Sequence, residues 1–337
     1  MERTLDILGK AVSGLESGGD GYSFCSGKAA FATILDLVES GAHVIASDNL
    51  NHNTYQIFES VRRRTSALTF SYVKDFKKET LEAVLQENTR LIWVESIIWP
   101  ALNIPDFKTI IDFAKAHEII SVCDNTLATP YLLSPIQVGF DVVAYDAKGY
   151  LSGSLETNGG CAVVSGSQEF IKEKLQFLRN TLGTSLSAAE QTVITKALES
   201  LEKRIMQHCV STKYIANFLL SNRRISTVHY LGLKSHLQFS YASENLHGFG
   251  GVLSMVLSGG IDAAMTFQEK LNLFSVSEAF GGSKSTMFHP ASKTYSSVPS
   301  EIRSHLGAAD GFFQFSIGLE NVDDLTADLE QALAISG

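Results

Sequence analysis

Residues 119–130, Ile-Ile-Ser-Val-Cys-Asp-Asn-Thr-Leu-Ala-Thr-Pro, place a short apolar run directly before three polar residues, of which Asp124 is the first. The run predicts a buried strand. Residues 91–94 form a similar apolar run that ends at Glu95, and residues 107–117 between the two have the spacing of an amphipathic helix. A strand, a helix and a second strand in this order predict two parallel strands joined by a crossover helix.

The same alternation extends on both sides of this unit. Short apolar runs predict strands at residues 44–46, 68–73 and 142–144, and helical spacing separates them at residues 54–63 and 78–86. A mainly parallel sheet covered by helices is expected. Because ligands of such sheets bind beyond the carboxyl ends of the strands, Glu95, Asp124 and the loop of residues 145–149 are the first candidate site residues.

The second half of the chain has a different texture. After a strand at residues 161–164, a long helical pattern covers residues 187–211, a strand entry lies at residues 248–254, and a closing helix is predicted at residues 322–334. We therefore predict a large α/β domain at residues 1–185 and a smaller α+β C-terminal domain at residues 186–337.

Composition excludes several classes of protein. A formal charge of -9 and a pI near 5.5 give no basic surplus for nucleic acid. No long uninterrupted apolar segment predicts a membrane span or a signal sequence, so a cytoplasmic protein is expected. The four cysteines lack paired spacing, which predicts neither a metal site nor disulfides.

Six collinear segments resemble one enzyme family, that of cystathionine γ-synthase, the cystathionine lyases and methionine γ-lyase. Together they cover nearly the whole chain, and they are residues 24–30 (FCSGKAA), 122–130 (VCDNTLATP), 145–160 (YDAKGYLSGSLETNGG), 231–236 (LGLKSH), 289–292 (HPAS) and 314–320 (QFSIGLE). The resemblance implies fold type I of the pyridoxal-phosphate (PLP) enzymes, which is aminotransferase-like. It also implies PLP as the cofactor.

The resemblance assigns cofactor contacts to particular residues. The turn that contains Ser26, Gly27 and Lys28 matches the family's phosphate-binding FSSGMAA, and Asp146 stands at the serine of the family's SATK motif. In addition, the acid beside the ring nitrogen is Asp124, Thr126 lies in the loop that follows it, and Asn51 replaces the tyrosine that stacks on the ring. A carboxylate at position 146 would repel a phosphate, whereas Lys28 and Lys148 could offset its charge.

The cofactor-bearing lysine is the main departure. Aligned without a gap, the family lysine falls on Gly149, and a one-residue shift would instead use Lys148. Because adjacent residues of an extended segment point to opposite sides, the unshifted alignment predicts that Lys148 faces away from the cofactor. On the substrate side, Glu95 and Ser285 match family positions, while Gln314 replaces the arginine that binds the substrate carboxylate and lacks its charge and its bidentate fork.

These substitutions predict a degenerate member of the family without the ancestral Schiff-base chemistry, acting as a pseudoenzyme, a scaffold or a partner subunit. The alternative is a PLP-dependent carbon–sulfur lyase or γ-synthase-like enzyme that uses Lys148. A third hypothesis is binding of a different anion by Lys28, Lys148 and the Ser26–Gly27 turn. The sequence leaves PLP binding open, and the substitutions weigh against it.

The resemblance also bears on partners. We expect a homo-oligomer, a dimer or tetramer, or a hetero-oligomer with an active relative. The sequence begins at the helix that precedes the residue 24–30 turn, so the N-terminal arm that completes a neighbouring subunit's site in the family is not part of it. The chain as given is therefore not expected to complete a partner's site in the usual way.

Overall fold

A computed structural model describes residues 6–297, 299–301 and 307–335. The chain divides into two compact units. Unit 1 contains the residues up to Trp99, Ile104–Ser152 and Glu156–Leu201, and unit 2 contains Pro100–Asn103, Gly153–Leu155 and the residues from Glu202 onward.

The core of unit 1 is a seven-stranded sheet in the order β1-β7-β6-β5-β4-β2-β3. Strands β2 to β6 are parallel to one another, and β7 pairs antiparallel with both β6 and β1. The strands are β1 (Asp20–Phe24), β2 (His43–Ser47), β3 (Thr69–Val73), β4 (Thr89–Glu95), β5 (Ile120–Asp124), β6 (Val142–Asp146) and β7 (Gly160–Val164).

Helices connect these strands, as the alternating pattern predicts. The helix after β2 changes from α to π geometry and back, so its three parts are given together as α3. The helices of unit 1 are α1 (Ile7–Leu15), α2 (Gly27–Leu35), α3 (His52–Gln56, Ile57–Arg62 and Arg63–Thr65), α4 (Lys78–Val84), α5 (Phe107–Ala116), α6 (Thr129–Leu132), α7 (Pro135–Val138), α8 (Glu169–Thr181) and α9 (Ala188–Leu198).

Unit 2 has a five-stranded sheet in the order β10-β11-β12-β9-β8, in which only β10 and β11 are parallel. Its strands are β8 (Ile225–His229), β9 (Val252–Leu257), β10 (Ser275–Val276), β11 (Thr286–Phe288) and β12 (Phe312–Ser316). Its helices are α10 (Leu201–Ser221), which starts at the boundary between the units, α11 (Phe239–Asn245), α12 (Gly260–Lys270), a 3₁₀ turn (Pro290–Ser292) and α13 (Val322–Ile335).

The predicted helix at residues 187–211 is wrong in one respect, because two helices, α9 and α10, cover this region and a break separates them at Glu199 and Ser200. Apolar spacing continues across the break and therefore hides it. The predicted domain boundary near residue 186 stays a prediction. Among the residues that the structure describes, no helix is both long and apolar enough to cross a membrane.

Helix α1 packs on β1 through two glycines. A Cβ atom on Gly9 would lie 2.3 Å from the carbonyl oxygen of Gly21, and a Cβ on Gly21 would lie 1.9 Å from that of Gly9. The Asp6 side chain caps the helix by accepting from the Gly9 amide at 2.8 Å, and it also accepts from the Ser23 amide at 2.8 Å. The backbone contact between the glycines therefore fixes the first turn of α1 against β1.

This close approach predicts opposite effects of one substitution at two positions of α1. Gly9→Ala should lower the free energy of unfolding by several kcal/mol, since backbone must move apart to admit a methyl group. Gly14→Ala is the matched control, because nothing lies within 4 Å of a Cβ there. It should be neutral or stabilise by up to about 1 kcal/mol. Urea unfolding of both variants measures the difference, and equal stability would contradict the proposed packing.

Candidate active site

Polar residues gather at the carboxyl ends of the parallel strands of unit 1. Glu95 ends β4, Asp124 ends β5 and Asp146 ends β6. Glu95 and Asp124 are direct neighbours in the register of the two strands, and the Ser96 amide donates to the Asp124 carbonyl at 2.9 Å. The sheet thus brings together carboxylates that are far apart in the sequence.

Asp124 is buried and keeps one oxygen available. Its Oδ1 accepts from the Thr126 amide at 3.0 Å and from the Thr126 hydroxyl at 2.5 Å. Its Oδ2 forms no hydrogen bond with the part of the chain that the structure describes. Burial raises the pKa of Asp124 to about 6, against the lowering effect of the bonds from Thr126. The carboxylate is therefore mainly ionised at neutral pH, and its Oδ2 can accept a further hydrogen bond.

Glu95 is more strongly perturbed. Glu95 is buried. Within residues 6–297, 299–301 and 307–335, its carboxylate accepts one hydrogen bond, from the Asn51 amide at 2.7 Å. Burial, followed by the charge of Asp124, raises the pKa of Glu95 well above its ordinary value. Asn51 is the N-cap of α3, and its side chain accepts from the Asn53 amide at 3.0 Å. Asn51 thus holds Glu95 through its backbone rather than through its side chain.

Helix α2 begins beside Asp146. Ser26 is its N-cap and accepts from the Ala29 amide at 3.1 Å. Gly27 lies so close to Asp146 that a Cβ atom would be 2.6 Å from the Cβ of that residue. Free amides at a helix N-terminus attract anions, so this turn has the chemistry to hold a phosphate, with the exposed Lys28 adding a positive charge nearby.

Asp146 connects the acid cluster to the turn that contains Lys148. The Asp146 amide donates to the Thr126 hydroxyl at 2.9 Å, and its Oδ1 accepts from the Lys148 amide at 3.0 Å. Burial raises the pKa of Asp146, while the Lys148 amide and the charges of Lys148 and Lys28 act to lower it. Both lysines therefore offset this carboxylate electrostatically.

The prediction that Lys148 faces away from the cofactor assumed an extended segment after Asp146. The segment is not extended, so this prediction has lost its premise. Residues 148–152 form a turn, and the Ser152 amide donates to the Ala147 carbonyl at 2.9 Å. Gly149 has a φ of 85° in this turn. A lysine at position 149 would be strained by about 1–2 kcal/mol in such a left-handed conformation, whereas Lys148 needs no positive φ.

The two remaining predicted residues lie in unit 2. Ser285 is buried, its amide donates to Glu320 Oε1 at 2.7 Å, and its hydroxyl donates to Glu320 Oε2 at 3.0 Å and accepts from the Gly318 amide at 2.9 Å. Gln314 lies in β12 opposite Ser254 of β9. Ser285 thus already uses its polar atoms within unit 2, and its predicted contact with substrate stays a prediction, as does that of Gln314.

Sequence reasoning missed a second polar cluster in unit 1, formed by Glu16, Asn125 and Tyr145. Glu16 is 0 % exposed although it lies in a glycine-rich and polar stretch, residues 14–21, that reads as a surface loop. The tyrosine and the asparagine are each adjacent in sequence to a predicted site residue, and this adjacency could have indicated their importance. Burial of the glutamate has no signature in a single sequence.

Comparison with known proteins gives consistent results. The model of the family described as Cys/Met metabolism PLP-dependent enzyme matches residues 1–334. A cystathionine beta-lyase of Coxiella burnetii is 37% identical over 324 residues, which are 96% of this chain and 84% of that protein. A cystathionine gamma-lyase of Bacillus subtilis is 33% identical over 330 residues, 98% of this chain and 86% of that protein.

A solved structure agrees with these relatives. The crystal structure of cystathionine gamma-lyase from Lactobacillus plantarum complexed with L-serine superimposes with a TM-score of 0.91 and 30% identity, over 97% of this chain and 85% of that one. The fold is thus that of the PLP-dependent enzymes of fold type I, as predicted. Within that class, the chain belongs to the family of PLP-dependent enzymes of cysteine and methionine metabolism.

The comparisons overturn the prediction of a degenerate protein. Relatives at 33% to 37% identity over nearly the whole chain are named as cystathionine lyases, and nothing found among them indicates a pseudoenzyme. The prediction gave too much weight to single positions, above all Gly149, and it assumed an extended backbone there. The family is PLP-dependent, so the reasoning against this cofactor is not supported either.

The residues present fit PLP at three points. Asp124 offers a free carboxylate oxygen for the ring nitrogen, the α2 turn at Ser26 and Gly27 offers amides for the phosphate, and Lys148 offers an amino group whose charge acts on Asp146 beside that turn. The carboxylate of Asp146 opposes a phosphate, and Lys28 and Lys148 offset its charge. When bound, PLP supplies an electron-accepting ring that stabilises negative charge on a substrate carbon.

The raised pKa of Asp124 predicts a pH dependence of stability in the cofactor-free protein. Between the ordinary pKa of 3.8 and about 6, the unfolded carboxyl is ionised while the folded one keeps its proton. Stability should therefore fall as pH rises through this window, with a contribution from Asp124 of up to about 3 kcal/mol. Asp124→Asn removes the titrating group and should flatten this fall.

Urea unfolding at several pH values between 4 and 7 measures the effect. Asp112→Asn on the surface of α5 is the matched control, since the Asp112 side chain is 61% exposed, and it should keep the wild-type slope. If Asp124→Asn also kept the wild-type slope, the inferred environment of Asp124 would be wrong.

Proposed function

We propose that this protein is a PLP-dependent carbon–sulfur lyase of the cystathionine-lyase type, with Lys148 as the lysine that bonds to the cofactor. The observation that carries the proposal is the turn at residues 148–152. Gly149 takes the left-handed conformation, and Lys148 is joined through its amide to Asp146, which in turn contacts Thr126 beside Asp124. The backbone of Lys148 is thus tied to the cluster that contains the carboxylate proposed for the ring nitrogen.

Each residue of the cluster has a role in this proposal. With PLP bound, Oδ2 of Asp124 would hold the proton on the ring nitrogen. The amides at the start of α2 and the cap residue Ser26 would bind the phosphate. The amino group of Lys148 would serve as the general base that takes a proton from the substrate carbon. Burial and the neighbouring charge of Asp124 raise the pKa of Glu95, which favours the neutral form of Glu95 beside Asp124.

The proposed substrate is a sulfur-containing amino acid such as cystathionine, on which the relatives are named to act. Cleavage of its carbon–sulfur bond, with the uptake of one water molecule, would release a thiol, ammonia and a 2-oxo acid. Pyruvate would indicate cleavage on the β side and 2-oxobutyrate cleavage on the γ side. Glu95, Ser285 and Gln314 remain the proposed substrate-side residues, with Gln314 as an uncharged hydrogen-bonding partner of the substrate carboxylate.

We also propose a cytoplasmic homo-oligomer, a dimer or a tetramer. Four cysteines without paired spacing fit a reducing compartment, and in the part of the chain described here all of them are free. Light scattering of the purified protein tests the assembly state, and a hetero-oligomer with an active relative is the alternative outcome.

Covalent trapping tests the role of Lys148. After incubation with PLP and reduction with borohydride, peptide mass spectrometry should find the phosphopyridoxyl group on Lys148. Lys148→Ala should lose this label and lower 2-oxo acid release from cystathionine by roughly 10²- to 10⁴-fold. Lys108→Ala on α5 is the matched control, because the Lys108 side chain is 82% exposed, and it should retain both properties.

Two results would contradict the proposal. A label on a different lysine would assign the cofactor bond elsewhere, and an unlabelled protein that releases no 2-oxo acid at high enzyme concentration would reject the lyase activity itself.

A further inference from the structure

A buried carboxylate lies outside the candidate active site and has no role in the proposed reaction. Glu16 follows α1 directly and is 0 % exposed. Its Oε1 accepts a hydrogen bond from the Tyr145 hydroxyl, and its Oε2 accepts from the Ser134 hydroxyl at 3.0 Å and the Ile136 amide at 3.1 Å. These three hydrogen bonds satisfy the buried carboxylate, as is usual for buried polar groups in native structures.

The network continues from Tyr145 to the loop after β5. Asn125 Nδ2 donates to the Tyr145 hydroxyl at 2.9 Å and also to the Leu133 carbonyl at 2.8 Å. The Asn125 amide donates to the Ala144 carbonyl at 2.9 Å. Glu16 therefore ties together the end of α1, strand β6 and the loop between β5 and α6.

Two members of this network are chain neighbours of active-site residues. Asn125 follows Asp124, and Tyr145 precedes Asp146, whose carboxylate accepts from the Lys148 amide. Because consecutive residues of a strand project to opposite faces, Tyr145 anchors β6 on the face opposite to Asp146. The position of both active-site loops is thus set, in part, from behind the sheet.

The pKa values of both partners in the hydrogen bond between Tyr145 and Glu16 are raised. Burial, followed by the charge of Glu16, raises the pKa of Tyr145 well above its ordinary value, so its hydroxyl stays a donor. Burial raises the pKa of Glu16, and the hydrogen bonds from Tyr145, Ile136 and Ser134 act to lower it. Loss of the Tyr145 hydroxyl would leave Oε1 of Glu16 without a hydrogen bond from the part of the chain that the structure describes, which costs about 1–3 kcal/mol.

We propose that Glu16 is a positioning residue which, through Tyr145 and Asn125, holds the loops of Asp124 and Lys148 at the separation that PLP capture requires. This inference rests on the proposed function, because it assigns Glu16 a role in the same site. A purely structural role would be confined to the contacts of Glu16 with Ser134 and Ile136, at the start of α7.

Tyrosine hydroxyl deletion tests the inference with two readouts. Tyr145→Phe should weaken the binding of PLP, measured by absorbance titration of the cofactor-free full-length protein, by roughly tenfold, as expected for a lost hydrogen bond to a charged group. Its amide hydrogen exchange should rise at residues 124–129 and at residues 145–152 together. Tyr22→Phe is the matched control, since the Tyr22 hydroxyl donates to the Lys172 carbonyl at 3.3 Å, remote from both loops along the chain.

The glutamate itself is tested by Glu16→Gln, because an amide cannot accept all three hydrogen bonds. It should weaken PLP binding in the same direction as Tyr145→Phe. The double variant should bind PLP within about twofold of the weaker single variant, since both substitutions interrupt one path.

Different outcomes separate this inference from the proposed function. Unchanged PLP affinity in Tyr145→Phe, or exchange that rises only at residues 133–138, would overturn the positioning role even if Lys148 carries the cofactor. Wild-type protein that takes up no PLP would reject the proposed function, and the exchange data would then decide alone whether the network couples the two loops.

Discussion

Burial of several carboxylates at one edge of a sheet is the constraint on which the site depends. Parallel strands place their carboxyl ends together, so Glu95, Asp124 and Asp146 are neighbours by topology. Like charges in a medium of low polarity repel strongly. In this site, raised pKa values and nearby cations reduce the repulsion. The raised pKa of Glu95 favours its neutral form, Lys28 and Lys148 offset Asp146, and Asp124 accepts hydrogen bonds from Thr126.

This distribution of charge explains why the loop around Lys148 takes its shape. Asp146 accepts from the Lys148 amide two residues ahead, which bends the chain immediately after β6. The bend then needs a left-handed residue, and glycine at position 149 supplies it at low cost. The presence of Gly149 is therefore a conformational requirement of the turn, and it does not by itself report the loss of a reaction.

Much of the fold could be predicted from the sequence. Apolar runs that end in an acid gave the strand ends at Glu95 and Asp124, and periodicity gave helices such as α5 close to their observed bounds. Three features could not be predicted from the sequence. The break before α10 lies within continuous helical spacing, the φ of Gly149 depends on a hydrogen bond of Asp146, and the burial of Glu16 depends on segments more than 100 residues away.

In the candidate site, the residue types could be predicted and their environments could not. Motif resemblance identified Ser26, Asp124 and Asp146, whereas the pKa values of the two aspartates depend on packing. Glu16 and Glu95 illustrate the difference, because both are buried glutamates of unit 1. Glu16 receives three hydrogen bonds, whereas Glu95 receives one and also feels the charge of Asp124.

Both carboxylates also act on a buried thiol. Cys123 lies in β5, and burial, followed by the charges of Asp124, Glu16 and Glu95, raises the pKa of its thiol well above the ordinary value. Because the thiolate is the reactive form of cysteine, this packing makes Cys123 a structural residue of the strand rather than a nucleophile of the adjoining site.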